Sequence, residues 1–484
     1  MGKFKEIELF FQKYIPICQK KKETKVFVVG DLRCPNGKSW IDNETEDSNE
    51  WEAHGEELLQ PVSMDSKTIL GMNLFHLSII VGLSVTLSVM VTIIPMHNHI
   101  HFPNYWWEPL FPFSFANGIF LTVNGLLECY MVFNLPFLKT TKTFIRLFIM
   151  TVLGSVIPFL VGRLIWTDVL SNNYPMPFLG LFVFVFFNSW HFLALWFEFP
   201  GKLRSNKIMR KRIWAYMLYR LWFVFHGIQL LGLNMLMGKL SKYWQWIMSV
   251  IFPIHREINS LVLTNLLKRT ANDMRVHPFI PKIIVTISLN IVHAFFVAVV
   301  ISTLATKLTA FCILGVDVLI NFHDTYKVVK IKTTVSSENS HEIQEMKIRR
   351  AEKSIELIGI EIIEMLVPLT YIITFLMAYY GPNAEIIGNI GNSDFHYKEV
   401  SNLLGFMGDL TGMFVIDLIG CVVSGLILWK YASVDLMSEA QKILKLFWAL
   451  ISIKIGGRLF QVLLLNSEEH KKKHFLNQNQ YNMR

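Results

Sequence analysis

Blocks of about twenty or more apolar residues recur along the chain, and no other feature restricts its fold so severely. A helix rises 1.5 Å per residue, so about twenty apolar residues match a hydrocarbon layer of ~30 Å. The blocks predict helices at about 69–96, 109–134, 144–168, 177–199, 213–236, 243–263, 282–304, 308–323, 356–380, 403–429 and 446–465. The fold class they imply is all-α, a polytopic transmembrane bundle of about ten or eleven helices. Composition agrees, since 52% of the 484 residues are hydrophobic and only 17% are charged.

Charge placement sets an orientation. With the N-terminus on the cytoplasmic side, the loops 135–143, 200–212, 255–282, 323–353 and 430–445 together carry 23 lysines and arginines, against four in the opposite loops. Basic residues are retained on the cytoplasmic side, so the asymmetry supports both the orientation and the helix order. It also accounts for the net charge of +9 as a topology signal, without a nucleic-acid partner.

Two segments fit poorly. The sixth contains "PIHREIN" (253–259), which would place His255, Arg256 and Glu257 in lipid. It is expected to have crossed by residue 254 and to continue as an amphipathic cytoplasmic segment over 255–281. The eleventh holds Lys454 and Arg458 four residues apart, and if it spans it carries the basic tail 466–484 outside. Hence the alternative of ten or eleven crossings. The domain reading is a cytoplasmic N-terminal region at 1–68, a first helix group at 69–254, the amphipathic segment, and a second helix group at 282–465 with the charged loop 323–353.

Polar regions add little chemistry. His97, His99 and His101 alternate just after the first apolar block, beside Tyr105, Trp106 and Trp107. An extended i, i+2, i+4 row spaces such side chains about 7 Å apart, too far for one metal ion, so an aromatic interfacial loop is the reading preferred over a metal or pH-sensing site. The N-terminal region has a basic amphipathic start and an acidic run, with neither a cleavable signal nor a lipid anchor expected. The sequon at Asn43 lies on the cytoplasmic side of this topology. The five cysteines are scattered, without metal-ligand or redox spacing. No nucleotide-binding, nucleophile-elbow or zinc-protease motif is present, so no catalytic residue, cofactor or metal is assigned.

What remains is the set of ionisable residues inside helices, each disfavoured by at least ~2.5 kcal/mol at the bilayer centre. Glu128, Arg146, Arg163, Glu198, Glu361 and Glu364 lie within about two turns of a predicted helix end and read as interface anchors. His226, His293, Asp317 and Asp417 lie at mid-depth, and Asp409 is two turns from Asp417 on nearly the same face. The connection at 305–307 makes the seventh and eighth helices antiparallel neighbours, which brings His293 and Asp317 to similar depth. These five residues form the candidate polar cluster, with protons, cations or a small solute as its ligands.

The stretch "LNIVHAFFVAVVISTLATKLTAFCILGVDVL" (289–319), with an asparagine, a His-Ala three residues on, and an aspartate in the next helix, resembles large families of predicted polytopic membrane proteins from oomycetes and related protists. "VPLTYIITFLMAYYGPNAEIIGNI" (367–390) is similar to them as well, and the resemblance covers roughly 244–465. It implies an integral membrane fold and carries no assigned activity. Three function classes follow from the residues. The first is a channel or secondary transporter, favoured by the mid-depth acids and the glycine-rich "GFMGDLTGMFVIDLIG" (405–420). The others are a receptor or scaffold using the long charged loop, and an intramembrane lipid-modifying enzyme with His293 as base.

Overall fold

The computed structural model of the chain describes residues 57–58, 65–93, 110–164, 179–241, 243–271, 276–277, 279–303, 307–333, 340–380 and 400–482. The histidine row at 97–101, Asn43, Cys18, Cys34 and most of the N-terminal region lie outside the described residues. Among the described residues every long element is a helix and there is no strand. The helices are α1 (Ser66–Ile93), α2 (Leu110–Phe133), α3 (Thr141–Leu164), α4 (Leu179–Glu198), the short α5 (Gly201–Ser205), α6 (Lys207–Lys239), α7 (Met248–Ala271), α8 (Phe279–Thr303), α9 (Lys307–Thr333), α10 (Ser340–Tyr379), α11 (Val400–Ile427) and α12 (Leu436–Asn482). Each of the eleven apolar blocks overlaps one of the eleven long helices among the described residues, although most of the block ends differ from the helix ends by a few residues.

Five helices among the described residues are long and apolar enough to cross a membrane: α1, α8, α9, α10 and α11. The chain is therefore an all-α membrane protein. Local chemistry sets where helices begin. Asp65 caps α1 by accepting from the Thr68 amide at 3.1 Å, and the hydrogen bonds from Thr68 hold its carboxyl below the usual range. Asn206 caps α6, accepting from the amides of Ile208 at 2.9 Å and Met209 at 3.2 Å.

Helix α8 is the hub. Its spanning window is 89% buried inside the protein, and it packs against α7, α10, α11 and α12. Such a helix reads as apolar all round because protein, not lipid, covers it. Helix α12 lies along α1, and small residues bring the two together: Ser84 Oγ donates to the Ser452 carbonyl at 3.0 Å, and a Cβ on Gly456 would stand 3.2 Å from the Ser84 carbonyl oxygen.

Two expectations differ from the structure. Helix α7 runs unbroken through Pro253 to Ala271, and Arg256 is 5% exposed inside the bundle, not placed on a membrane surface. Its charge is tolerated there because Glu364 of α10 answers it. Helices α9 and α10 extend to Thr333 and back to Ser340, so most of the charged loop 323–353 is helical.

The α3–α4 contact gives a steric prediction. Trp190 Nε1 donates to the Met150 carbonyl at 2.7 Å, which seats the indole on Gly154 one turn later. An added Cβ would fall 1.6 Å from Trp190 Cδ1. Gly154→Ala is expected to destabilise by about 1–3 kcal/mol, read as a lower melting temperature of the detergent-solubilised protein. An unchanged melting temperature would contradict this packing.

Candidate functional site

The mid-depth polar residues gather where α7, α8, α9, α10 and α11 meet. Asp317 and Asn321 stand one turn apart on α9, Glu361 and Glu364 share a face of α10, and Asp417 and Ser424 are two turns apart on α11. These positions lie near the middles of the helix windows 307–331, 348–377 and 405–432. Arg256 of α7 enters from one side. Its Nη1 donates to Glu364 Oε1 at 3.4 Å and to Asn290 Oδ1 of α8 at 3.5 Å, while Asn321 Nδ2 donates to Glu364 Oε2 at 3.2 Å.

The other acids of the cluster are less well answered. Asp417 lies within electrostatic reach of Glu364, Asp317 and Glu361, and its Oδ2 has no hydrogen-bond partner. Glu361 is 1% exposed and both its carboxyl oxygens are unpartnered. Ser424 stands beside Glu361, but its Oγ makes no bond of good geometry. Asp417 is thus within electrostatic reach of three further carboxyls, and the only guanidinium among the described residues that acts on Asp317 and Glu364 is that of Arg256. An ionised carboxylate taken out of water carries a penalty of several kcal/mol unless a partner offsets it. Arg256 can balance one of the four, so the remaining three are neutral only if they hold protons or a bound cation.

No family model, curated protein or solved structure matches the chain. The reading of the site therefore rests on its own chemistry.

The five residues singled out from sequence divide three ways. Asp317 and Asp417 come together in the carboxyl cluster. His293 and His226 sit in a histidine group with His255: the His226 and His255 rings stack at 4.9 Å, and the charges that reach His293 are Arg256, His226 and His255. Asp317 is not among them. Asp409 stands apart, exposed near the start of α11 with Lys307 as its neighbouring charge. The ring nitrogens of His226 and His293 are buried without partners, whereas His255 Nε2 is 3.1 Å from Gln229 Oε1. A histidine acting as a general base is held by a hydrogen bond to its second nitrogen, and His293 has none here.

Sequence reasoning assigned Glu361 and Glu364 to an interface and did not assign Arg256, Asn290, Asn321 or Ser424 to the site. The available signal was spacing: Asn321 follows Asp317 by one turn and Asn290 precedes His293 by three residues.

A second buried ionic centre lies among α2, α6 and α12. Glu128 is fully buried, with Oε2 accepting from Arg220 Nη1 at 2.7 Å and Oε1 from Lys454 Nζ. The hydroxyls of Tyr216 and Tyr219 reach the same carboxylate at 3.5 Å. Lys454 and Arg458 both lie over the Phe223 ring, at 5.2 Å and 5.7 Å from its centroid. The two charges that fit the eleventh segment poorly are thus turned into the bundle. Glu128, expected near an interface, is the acid that holds Lys454. Every carboxyl oxygen of this centre is hydrogen-bonded, so it reads as a structural clamp between helices.

Proposed function

We propose that the protein is a secondary transporter or channel that moves protons through the carboxyl cluster of α9, α10 and α11. The observation that carries this reading is Glu361, which is buried within a candidate spanning helix with the Ser424 hydroxyl beside it but no hydrogen bond of good geometry to either oxygen. A purely structural acid would be expected to have a partner, as Glu128 and Glu364 do. Acids without partners in the membrane interior mark ion and proton pathways. The proton is taken as the transferred charge because a lone buried carboxyl can bind and release one without further ligands. Glu361, Asp417 and Asp317 are the exchange sites in this reading, and Arg256 with Glu364 holds the helices that carry them.

The test is flux. Purified protein reconstituted in liposomes with an internal pH dye is expected to dissipate an imposed pH gradient well above protein-free vesicles, with potassium and valinomycin clamping the voltage. Glu361→Gln, which keeps shape and removes the proton site, is expected to lower that rate at least tenfold. Wild-type vesicles no leakier than empty ones under gradients of either direction, or a Glu361→Gln rate equal to wild type, would remove the proposal.

A further inference from the structure

A cleft of about 510 Å³ opens at the basic end of the bundle, between the start of α6 and the end of α7, away from the carboxyl cluster. Arg210, Lys211, Arg212 and Trp214 line it from α6, and Leu266 and Arg269 from α7. Among the described residues no carboxylate lines it. Arg210, Lys211 and Arg269 are exposed, while Arg212 is 9% exposed.

Retention of basic residues on one side of a membrane explains why cations occur at this end. It does not explain why two helices bring Arg210, Lys211 and Arg269 to a single concavity that no carboxylate of the described residues lines. The apolar part of the lining gives the second half of a lipid. Trp214 is 54% exposed and Leu218, one turn further along α6, is 51% exposed, so an aromatic ring and an aliphatic wall continue along the helix from the cationic mouth. The amino end of α6 adds favourable partial charge, while the carboxyl end of α7 opposes it, so the side chains decide the sign of the site.

We infer that this cleft binds the phosphate headgroup of an anionic phospholipid, with an acyl chain lying along Trp214 and Leu218. A basic pocket between helices at the membrane surface is suited to that chemistry, since each nearby lysine or arginine attracts the headgroup and the effect fades within a Debye length. The site is independent of proton transfer.

Native mass spectrometry of the purified full chain tests this with dioctanoyl phosphatidic acid, dioctanoyl phosphatidylcholine and inorganic phosphate as probes. One phosphatidic acid is expected to be retained, phosphatidylcholine is not, and excess inorganic phosphate leaves the lipid bound. The triple variant Arg210→Gln, Lys211→Gln, Arg269→Gln is expected to weaken phosphatidic acid binding roughly 100-fold at low salt. Arg269→Gln alone, a milder change on α7, is expected to weaken it roughly fivefold. Removing as much charge elsewhere, by Lys142→Gln, Lys330→Gln and Lys430→Gln, should leave binding within twofold. Equal weakening in that control would mean diffuse attraction and no site, displacement by inorganic phosphate would mean a soluble ligand, and unchanged binding in the Arg269→Gln protein would place the lipid elsewhere. Each of these three results overturns the inference.

Discussion

Glu128→Ala is expected to destabilise the protein by about 3–5 kcal/mol, enough to leave little folded material after detergent extraction. The carboxylate joins three helices, accepting from Arg220 of α6 and Lys454 of α12, and its side chain is 0% exposed. Removing it leaves Arg220 and Lys454, 4% and 8% exposed, facing one another without an acid. Deleting one member of a buried ionic group is severe because the survivor's desolvation is no longer offset. The same reasoning makes the group asymmetric. Lys454→Met leaves Glu128 and Arg220 as a matched pair at 2.7 Å and replaces an ammonium with an apolar side chain of similar length. Its expected loss is about 1 kcal/mol or less. Melting temperatures of the two variants, measured in the same detergent, decide the matter: comparable small shifts would show that Glu128 is not the keystone of a buried triad.

That centre also shows what was legible in the sequence. The presence of eleven long helices among the described residues was, because each overlaps an apolar block, and five of them are long and apolar enough to cross a membrane. Asp317 and Asp417 were legible as mid-depth acids, since each stands alone in an apolar run. The limits of the helices were not. A helix continues into water without any change in hydropathy rules, so α10 begins at Ser340 instead of near residue 356. The shift of about four turns moves Glu361 and Glu364 from a supposed interface to the centre of their span. Pairing across the chain was hidden as well. Arg256 read as a reason to end a helix because its partner, Glu364, is 108 positions away, and Lys454 read as a misfit because Glu128 is 326 positions away. Hydropathy scores the cost of a charge one segment at a time, whereas the bundle answers it with an acid from another helix.

Arg256→Gln is expected to be the most damaging change within the carboxyl cluster, by about 3–5 kcal/mol, while Glu364→Gln is expected to be milder. In wild type the guanidinium donates to Glu364 and Asn290, and Asp317 also lies within its electrostatic reach. Without Arg256, Asp317, Glu361, Glu364 and Asp417 remain together with no cation the described residues place among them. Without Glu364, Arg256 still has Asp317 at hand, so its charge is not stranded. The double variant Arg256→Gln, Glu364→Gln removes one charge of each sign and should therefore be more stable than Arg256→Gln alone. A double-mutant cycle is expected to return a coupling of about 2 kcal/mol, within the range for contacting charged groups. A coupling near zero would dissolve the ion pair as a structural link between α7 and α10. The double variant also separates structure from transport. It keeps Glu361, Asp417 and Asp317, the three acids proposed to exchange protons, so reconstituted double-variant protein should retain flux within a few-fold of wild type, whereas Glu361→Gln should not. Flux that disappears in the folded double variant would instead place the conducting step on Arg256 and Glu364 themselves.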